Sequence, residues 1–461
     1  MTSIDRARLA SLREREEQRF VDAHPRSAEL AAAPGHLLGG VPMAWMTRWP
    51  GAFPLVFAEA SGAHFRDVDG IEYIDFCLGD TGAMAGHALP AVADALSAQA
   101  RRGITTMLPS LDAAWVGDEL ARRFGLPIWQ LAMTATDANR FVLRFARHLT
   151  GRPKVLVFDW CYHGTVDEAF ATLDGDGRVV ARPGTIGAPI EPDATTKVVQ
   201  FNDLAAVEAA LAPRDVACVL AEPALTNIGI VLPDPGFHEA LREICDRTGT
   251  LLVIDETHTL CAGPGGATGE WGLRPDFFVI GKAIGGGMPV AAYGMTAEVG
   301  SLLAPAIGGT EVDTSGVGGT LTGNALALAA VRATLSTTLT ADDFSRMVPL
   351  AEAWTEGVQE VIDGVGLDWC VNRLGCRAEY WFCPPPRNGS DAAASIDAEL
   401  DAYLHLHALN RGILMTPFHN MALMSPAHVA GDVERHTQVF AEAIGELVQP
   451  LHVVSRPAEP S

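Results

Sequence analysis

Apolar and polar positions alternate along this chain with two periods, and the changes of period outline its elements. Residues 3 to 22 repeat at helical spacing: Ser3 can cap the helix, Leu9, Leu12 and Phe20 share a stripe, and the other face is charged. That charged face reads as solvated, or as packed on a partner subunit. Short strand patterns follow at Leu55 to Glu59 and Ala63 to Arg66, and Asp69-Gly70 turns the chain into Tyr73 to Phe76. From Pro90 to Ile280 apolar runs alternate with helical patterns. Strands are predicted at Trp129 to Met133, Lys154 to Phe158, Val198 to Phe201, Val216 to Ala221, Leu251 to Ile254 and Phe277 to Ile280. Helices are predicted at Ala91 to Arg102, Ala138 to Thr150 and Phe237 to Thr248. Such alternation implies an α/β fold whose mostly parallel sheet has helices on both faces.

Downstream the pattern changes. Helices at Asn324 to Leu335 and Phe344 to Val365 lead to mixed strands, Arg377 to Phe382 and Ile413 to Met415, and to helices Ser395 to Asn410 and Gly431 to Leu447. The expected division is an N-terminal helix and segment (1–65) packing with the small domain, a large domain (66–330), and a smaller α+β domain (331–461). The tail after Val454 reads as disordered.

With 461 residues the chain can bury a large core. Its formal charge of -23 argues against a nucleic-acid partner. None of the eight cysteines forms a C-x-x-C pair, so neither a zinc site nor a disulfide framework is indicated. The charged N-terminus lacks a signal peptide's apolar centre, and no apolar run is long enough to span a membrane; a cytoplasmic protein is expected.

Candidate chemistry gathers where predicted strands end. The Leu251 run ends on Asp255-Glu256, and the Phe277 run ends on Gly281-Lys282 before Gly285-Gly286-Gly287. Open α/β sheets place their ligands at such carboxyl ends. Of only three lysines, Lys154, Lys197 and Lys282, the last alone sits between a buried-type strand and a glycine-rich turn. Desolvation there would free its amine for Schiff-base chemistry. A carboxylate after a neighbouring strand suits the ring nitrogen of pyridoxal phosphate (PLP). Thr134-Ala135-Thr136, between strand and helix, offers backbone N–H groups and hydroxyls to a phosphate, or only a helix cap. Tyr162, in Trp160-Cys161-Tyr162-His163-Gly164, can stack on a planar ring or simply pack. Glu222 and Asn227 lie beyond another strand, where Asn227 can donate to a phenolic oxygen or merely serve a turn. Trp45 and Trp49 are core or pocket wall.

These marks, with Gly319-Thr320-Leu321-Thr322-Gly323-Asn324 and Ser425-Pro426-Ala427-His428, resemble the class III aminotransferases of PLP fold type I. Closest is the branch containing glutamate-1-semialdehyde aminomutase, over roughly residues 35 to 440. The resemblance implies a seven-stranded, mostly parallel sheet and a homodimer with the active site at the subunit interface. It implies that Lys282 forms the Schiff base with PLP and shuttles protons, and that Asp255 binds the ring nitrogen. Tyr162 and Thr257 would contact opposite ring faces, Ala135 and Thr136 the phosphate, and Gly319 and Thr320 the partner's phosphate. Glu222 and Asn227 would sit at the ring's phenolic edge, with His163 behind. No metal is implied.

Several positions depart from the family. Its Asn-Ser-Gly-Thr-Glu turn is Met133 to Asp137 here, Thr257 replaces an aliphatic residue, and Leu260-Cys261-Ala262 stands in place of Gly-Phe-Arg. Met46 falls where the aminomutase has a carboxylate-binding arginine, which argues against glutamate-1-semialdehyde as substrate. Arg48 or Arg377 could serve instead, or be structural, and Trp45, Met46 and Phe418 suggest an apolar pocket. The expected activity is transamination between an amino acid or amine and a keto acid or aldehyde. The alternatives are a PLP-dependent aminomutase, epimerase or decarboxylase and, more distantly, a non-catalytic homologue. A dinucleotide-dependent oxidoreductase is disfavoured because no G-x-G-x-x-G follows the early strands.

Overall fold

A computed structural model describes residues 4–33, 35–188, 191–307 and 315–448. Ser3 and the tail after Val454 lie outside them. Its centre is a seven-stranded sheet in the order Ile128–Ala132, Ala291–Met295, Phe277–Ile280, Leu251–Asp255, Val216–Ala221, Lys154–Phe158, Thr196–Val199. The Ala291–Met295 strand runs antiparallel to both neighbours, and the other pairings are parallel. The fold is therefore the expected α/β one.

The central strands read as continuous apolar runs because both faces are covered. Every residue of Val216–Ala221 and of Phe277–Ile280 is buried. Alternate residues feed two cores: Phe277 and Val279 one, Phe278 and Ile280 the other. The antiparallel strand was not foreseen. Its sequence, Ala-Ala-Tyr-Gly-Met, has little β propensity. It is small for a packing reason: a Cβ at Gly294 would lie 2.7 Å from the Trp129 ring across the pair.

Two helices begin before their apolar stripes do. Ala135–Thr150 starts at the residues read as a turn, because the Thr134 side chain accepts from the Asp137 N–H. Ala341–Val365 starts at a reciprocal Thr340–Asp343 capping box. Asp112–Phe124 is a further helix that the sequence reading passed over.

The small sheets join distant parts of the chain. Phe57–Ser61, His64–Asp67 and Glu72–Asp75 form an antiparallel meander, and Ile413–Leu414 adds to it in parallel. Arg377–Trp381 pairs with Cys370–Leu374 and Met421–Leu423. Ala341–Val365 and Ala430–Val448 pack together, with Trp354 fully buried.

The N-terminal helix, Arg6–Ala23, is capped by Asp5 and buries Leu9, Leu12 and Phe20 as expected. Its charged face is not merely solvated. Glu16 is buried, and Asn410 and Arg411 donate to it at 2.9 and 3.0 Å, so the helix is fastened to its own chain at the Ala398–Leu409 helix. Burial opposes the ionised form, but these donors and Arg15 outweigh it and hold the carboxyl at about 2.

Candidate active site

A cavity of about 290 Å³ opens at the carboxyl edge of the large sheet. Lys282, Asp255, Thr257, Tyr162, Thr134, Ala135 and Thr136 all line it, together with His258. Asp255 arrives on the end of a central strand. Lys282 follows the adjacent strand with a φ of +49°, a left-handed backbone that costs a side-chain-bearing residue energy and persists only where its surroundings enforce it.

Asp255 is 3% exposed and held from four sides. Asn139 and His163 donate to Oδ2 at 2.8 and 3.0 Å. The Thr257 N–H and hydroxyl donate to Oδ1 at 3.1 and 2.6 Å. Burial alone would raise its pKa. The hydrogen bond and charge of His163, with Thr257 and Asn139, outweigh that and hold Asp255 below the usual carboxylate range. Burial likewise opposes a charged His163, yet the Cys161 sulfur and Asp255 raise it to about 10. The pair is therefore an imidazolium on a carboxylate, with negative charge kept at the cavity wall.

The opposite end is built differently. Lys282 Nζ donates to Asp80 Oδ2 at 2.8 Å and lies 2.9 Å from His258 Nε2. Burial and the lysine's charge push His258 well below its ordinary value, so it stays neutral. Lys282 keeps Asp80 ionised despite burial. Neither Asp80 nor His258 was singled out from sequence. Asp80 sits in Gly79-Asp80-Thr81-Gly82, about two hundred residues from the lysine, and nothing local marks it. His258 lies three residues beyond Asp255, and that proximity was the available signal.

A third wall of the cavity is the first turn of Ala135–Thr150, where backbone N–H groups lack intrahelical partners and could hold a phosphate. The Thr136 hydroxyl accepts from the Thr165 N–H at 3.0 Å. Gly164 faces it with φ +73°, and a Cβ there would lie 2.1 Å from Thr136 Oγ1, so only glycine fits.

The remaining candidates are spread around this centre. Glu222 is buried behind Tyr162, accepting its N–H at 3.2 Å and bonding the Thr226 hydroxyl; burial raises its pKa. Burial and Asp80 push the Tyr162 phenol up to about 12. Asn227 donates to the Trp160 carbonyl at 3.1 Å. It lines a second cavity of about 430 Å³, as do Phe418 and Arg48. Trp45 stands between the two, 6.1 Å from the Tyr162 ring and 5.7 Å from Phe418. Trp45 and Met46 are 42% and 40% exposed. Arg377 lines neither cavity: it is fully buried and donates to the Thr226 carbonyl and to Glu379 at 3.0 and 3.2 Å. Gly319 and Thr320 are exposed and away from their own chain's cavity.

An amine at one end, an anion at the other and a helix N-terminus at the side match PLP group by group: carbonyl, ring nitrogen and phosphate. Fold and cavity together are those of a fold type I PLP-dependent enzyme. Residues 45–361 match the model of the family Aminotransferase class-III, and the chain belongs to that family. It is 35% identical to a glutamate-1-semialdehyde 2,1-aminomutase of Sorangium cellulosum, covering 86% of this chain and 90% of that one. A crystal structure of a glutamate-1-semialdehyde-aminomutase from Pseudomonas aeruginosa PAO1 superposes with a TM-score of 0.95 at 50% identity, covering 96% and 99% of the two chains. An omega-transaminase from Sphaerobacter thermophilus superposes with a TM-score of 0.83 at 29% identity, covering 93% and 97%.

Proposed function

We propose that the protein is a PLP-dependent aminomutase, moving an amino group between neighbouring carbons of one small amino-carbonyl compound. The observation that carries the chemistry is the shared cavity of Lys282 and Asp255 beside a helix N-terminus. The preference for a shift within one molecule, over the transamination favoured from sequence, rests on the aminomutase relatives. Transamination is the second reading, supported by the exposed apolar Trp45 beside the cavity-lining Tyr162. No arginine is among the described residues lining the cavity, so a substrate carboxylate has no guanidinium to meet there.

PLP, when bound, supplies a carbonyl that takes up an amine and a ring that stabilises negative charge on the adjoining carbon. Asp255, held by His163, Asn139 and Thr257, keeps an anion against the ring nitrogen without needing to reorganise. Lys282 takes a proton from the substrate carbon and returns it one position along. Tyr162 and Thr257 bound the ring's two faces, and Ala135 and Thr136 bind the phosphate. Glu222 and Asn227 serve the phenolic edge. Gly319 and Thr320 reach the partner subunit's phosphate, which their exposure allows, so the working unit is a homodimer. All eight cysteines are unpaired, which agrees with a reducing cytoplasm.

An amino aldehyde carrying a nitrogen isotope label tests the choice. Label that stays in the product, with no need for an added keto acid, supports the aminomutase. Label that crosses to pyruvate or 2-oxoglutarate supports the transaminase.

A further inference from the structure

The second cavity, of about 430 Å³, carries a negative charge that its surroundings do not balance. No described residue lines both it and the cofactor cavity. Its charged groups can be followed one by one. Glu379 is buried and already paired, with Arg377 at 3.2 Å and His419 at 3.1 Å. Asp397, the cap of the Ala398–Leu409 helix, is engaged by Arg6 at 3.0 Å. Burial pushes His405 down to about 4, so it stays neutral. Arg48 lines the cavity but is exposed, where water and salt screen it.

Asp401 is left without a partner of opposite charge. It is partly buried on the cavity wall, and Asn420 donates to its Oδ1 at 2.9 Å. The Asn420 side-chain oxygen lies 2.9 Å from His405 Nε2, which holds the amide with its N–H toward Asp401. Among the described residues nothing donates to Asp401 Oδ2 and no cation pairs with the carboxylate. Burial, reinforced by the charges of Asp397 and Glu379, pushes its pKa up to about 6 against the pull of Asn420 and His419. At neutral pH it is still an anion, and a desolvated anion with no close cation is costly.

We propose that the second cavity binds a small organic cation whose charged nitrogen pairs with Asp401 while its apolar body lies against Trp381, Phe382 and Phe418. All three aromatic side chains line the cavity. Aromatic faces attract a cation as well as an apolar body, and an apolar pocket with one fixed polar group is the usual build of a small-molecule site. The favoured ligands are protonated amines and amidines on a flat, apolar body, and Asp401 repels carboxylates. The assignment does not depend on the choice between aminomutase and transaminase, because Asp401 lies outside the cofactor cavity.

The experiment is a calorimetric titration of PLP-loaded enzyme with benzamidine and with benzamide. The two share size and planar shape and differ in charge, and the amidinium does not condense with the cofactor. Wild type should bind benzamidine at least about tenfold more tightly, the effect of one charge-assisted hydrogen bond. In Asp401→Asn the ratio of the two affinities should fall to about one, and Asp401→Glu should restore part of it. Equal affinities in wild type, or binding of neither compound, would overturn the proposal whether or not any variant folds. A preference that survives in Asp401→Asn would overturn it as well, since the cation would then sit elsewhere.

Discussion

The two ends of the cavity hold opposite charges by opposite means. At one end Asp255 is 3% exposed, sits on a regular strand and accepts four hydrogen bonds. At the other, the Lys282 side chain is 26% exposed, sits on a strained residue and has Asp80 and His258 as its close polar partners. A charge that must persist through every step is worth fixing rigidly, since a preorganised anion costs nothing to reorient. A group that must leave, carry a proton and return needs alternative partners and some freedom. The first end draws its donors from a helix, a loop and the residue just past the strand, and the second draws Asp80 from a strained loop far along the chain.

Changes at each end should therefore fail differently. Lys282→Ala should have the largest effect, about 10³-fold or more in turnover, because it removes the proton carrier and the covalent tether together. The visible absorption of the covalently held cofactor should vanish with it. Asp255→Asn should cost about 10²-fold in turnover while the protein remains folded, since only the fixed anion is lost. Steady-state rates beside circular dichroism separate these outcomes, and equal, small losses in both variants would break the contrast between the ends.

His163→Gln should sharpen it. Removing the charged donor to buried Asp255 should cost about 1.5–3 kcal/mol of stability by thermal unfolding at neutral pH. The dependence on pH has a definite sign. The folded His163 pKa is raised to about 10. Its contribution is therefore complete below its unfolded value near 6.5 and fades as pH rises through about 10. Asp255 is depressed, so its contribution is present above about 3.9 and fades as pH falls through its folded value. The wild-type advantage over His163→Gln should thus shrink in alkali.

Gly164→Ala should have the smallest effect, about 1–3 kcal/mol, by forcing Thr136 aside at a left-handed position. Weaker PLP retention, measured by dialysis, should accompany it. Unchanged retention would mean that Thr136 does not serve the phosphate.

Much of this was legible in the chain. Continuous apolar runs marked the buried strands, and strand ends marked Asp255 and Lys282, because those signals are local. Residues 134–136 were legible as a helix start that could take a phosphate or only a cap, although their helix begins three residues earlier than its apolar stripe. The Ala291–Met295 strand was illegible because its residues answer to the Trp129 ring across the pair rather than to β propensity. The sequence leaves Arg377 open as a substrate group or a structural one, and only the fold shows it sealed between the Thr226 carbonyl and Glu379.

By itself the sequence determined the alternation of strand and helix and the cofactor class, and it singled out Lys282 and Asp255 as the candidates to serve it. Those properties depend on residue type and short spacing, which a single chain displays. Only the tertiary structure decided which groups surround the lysine. Asp80 joins Lys282 across 202 positions, and Phe418 and Asn227 share a second cavity although 191 residues separate them. Such neighbours are set by how strands stack and loops return, and no local pattern encodes that closure.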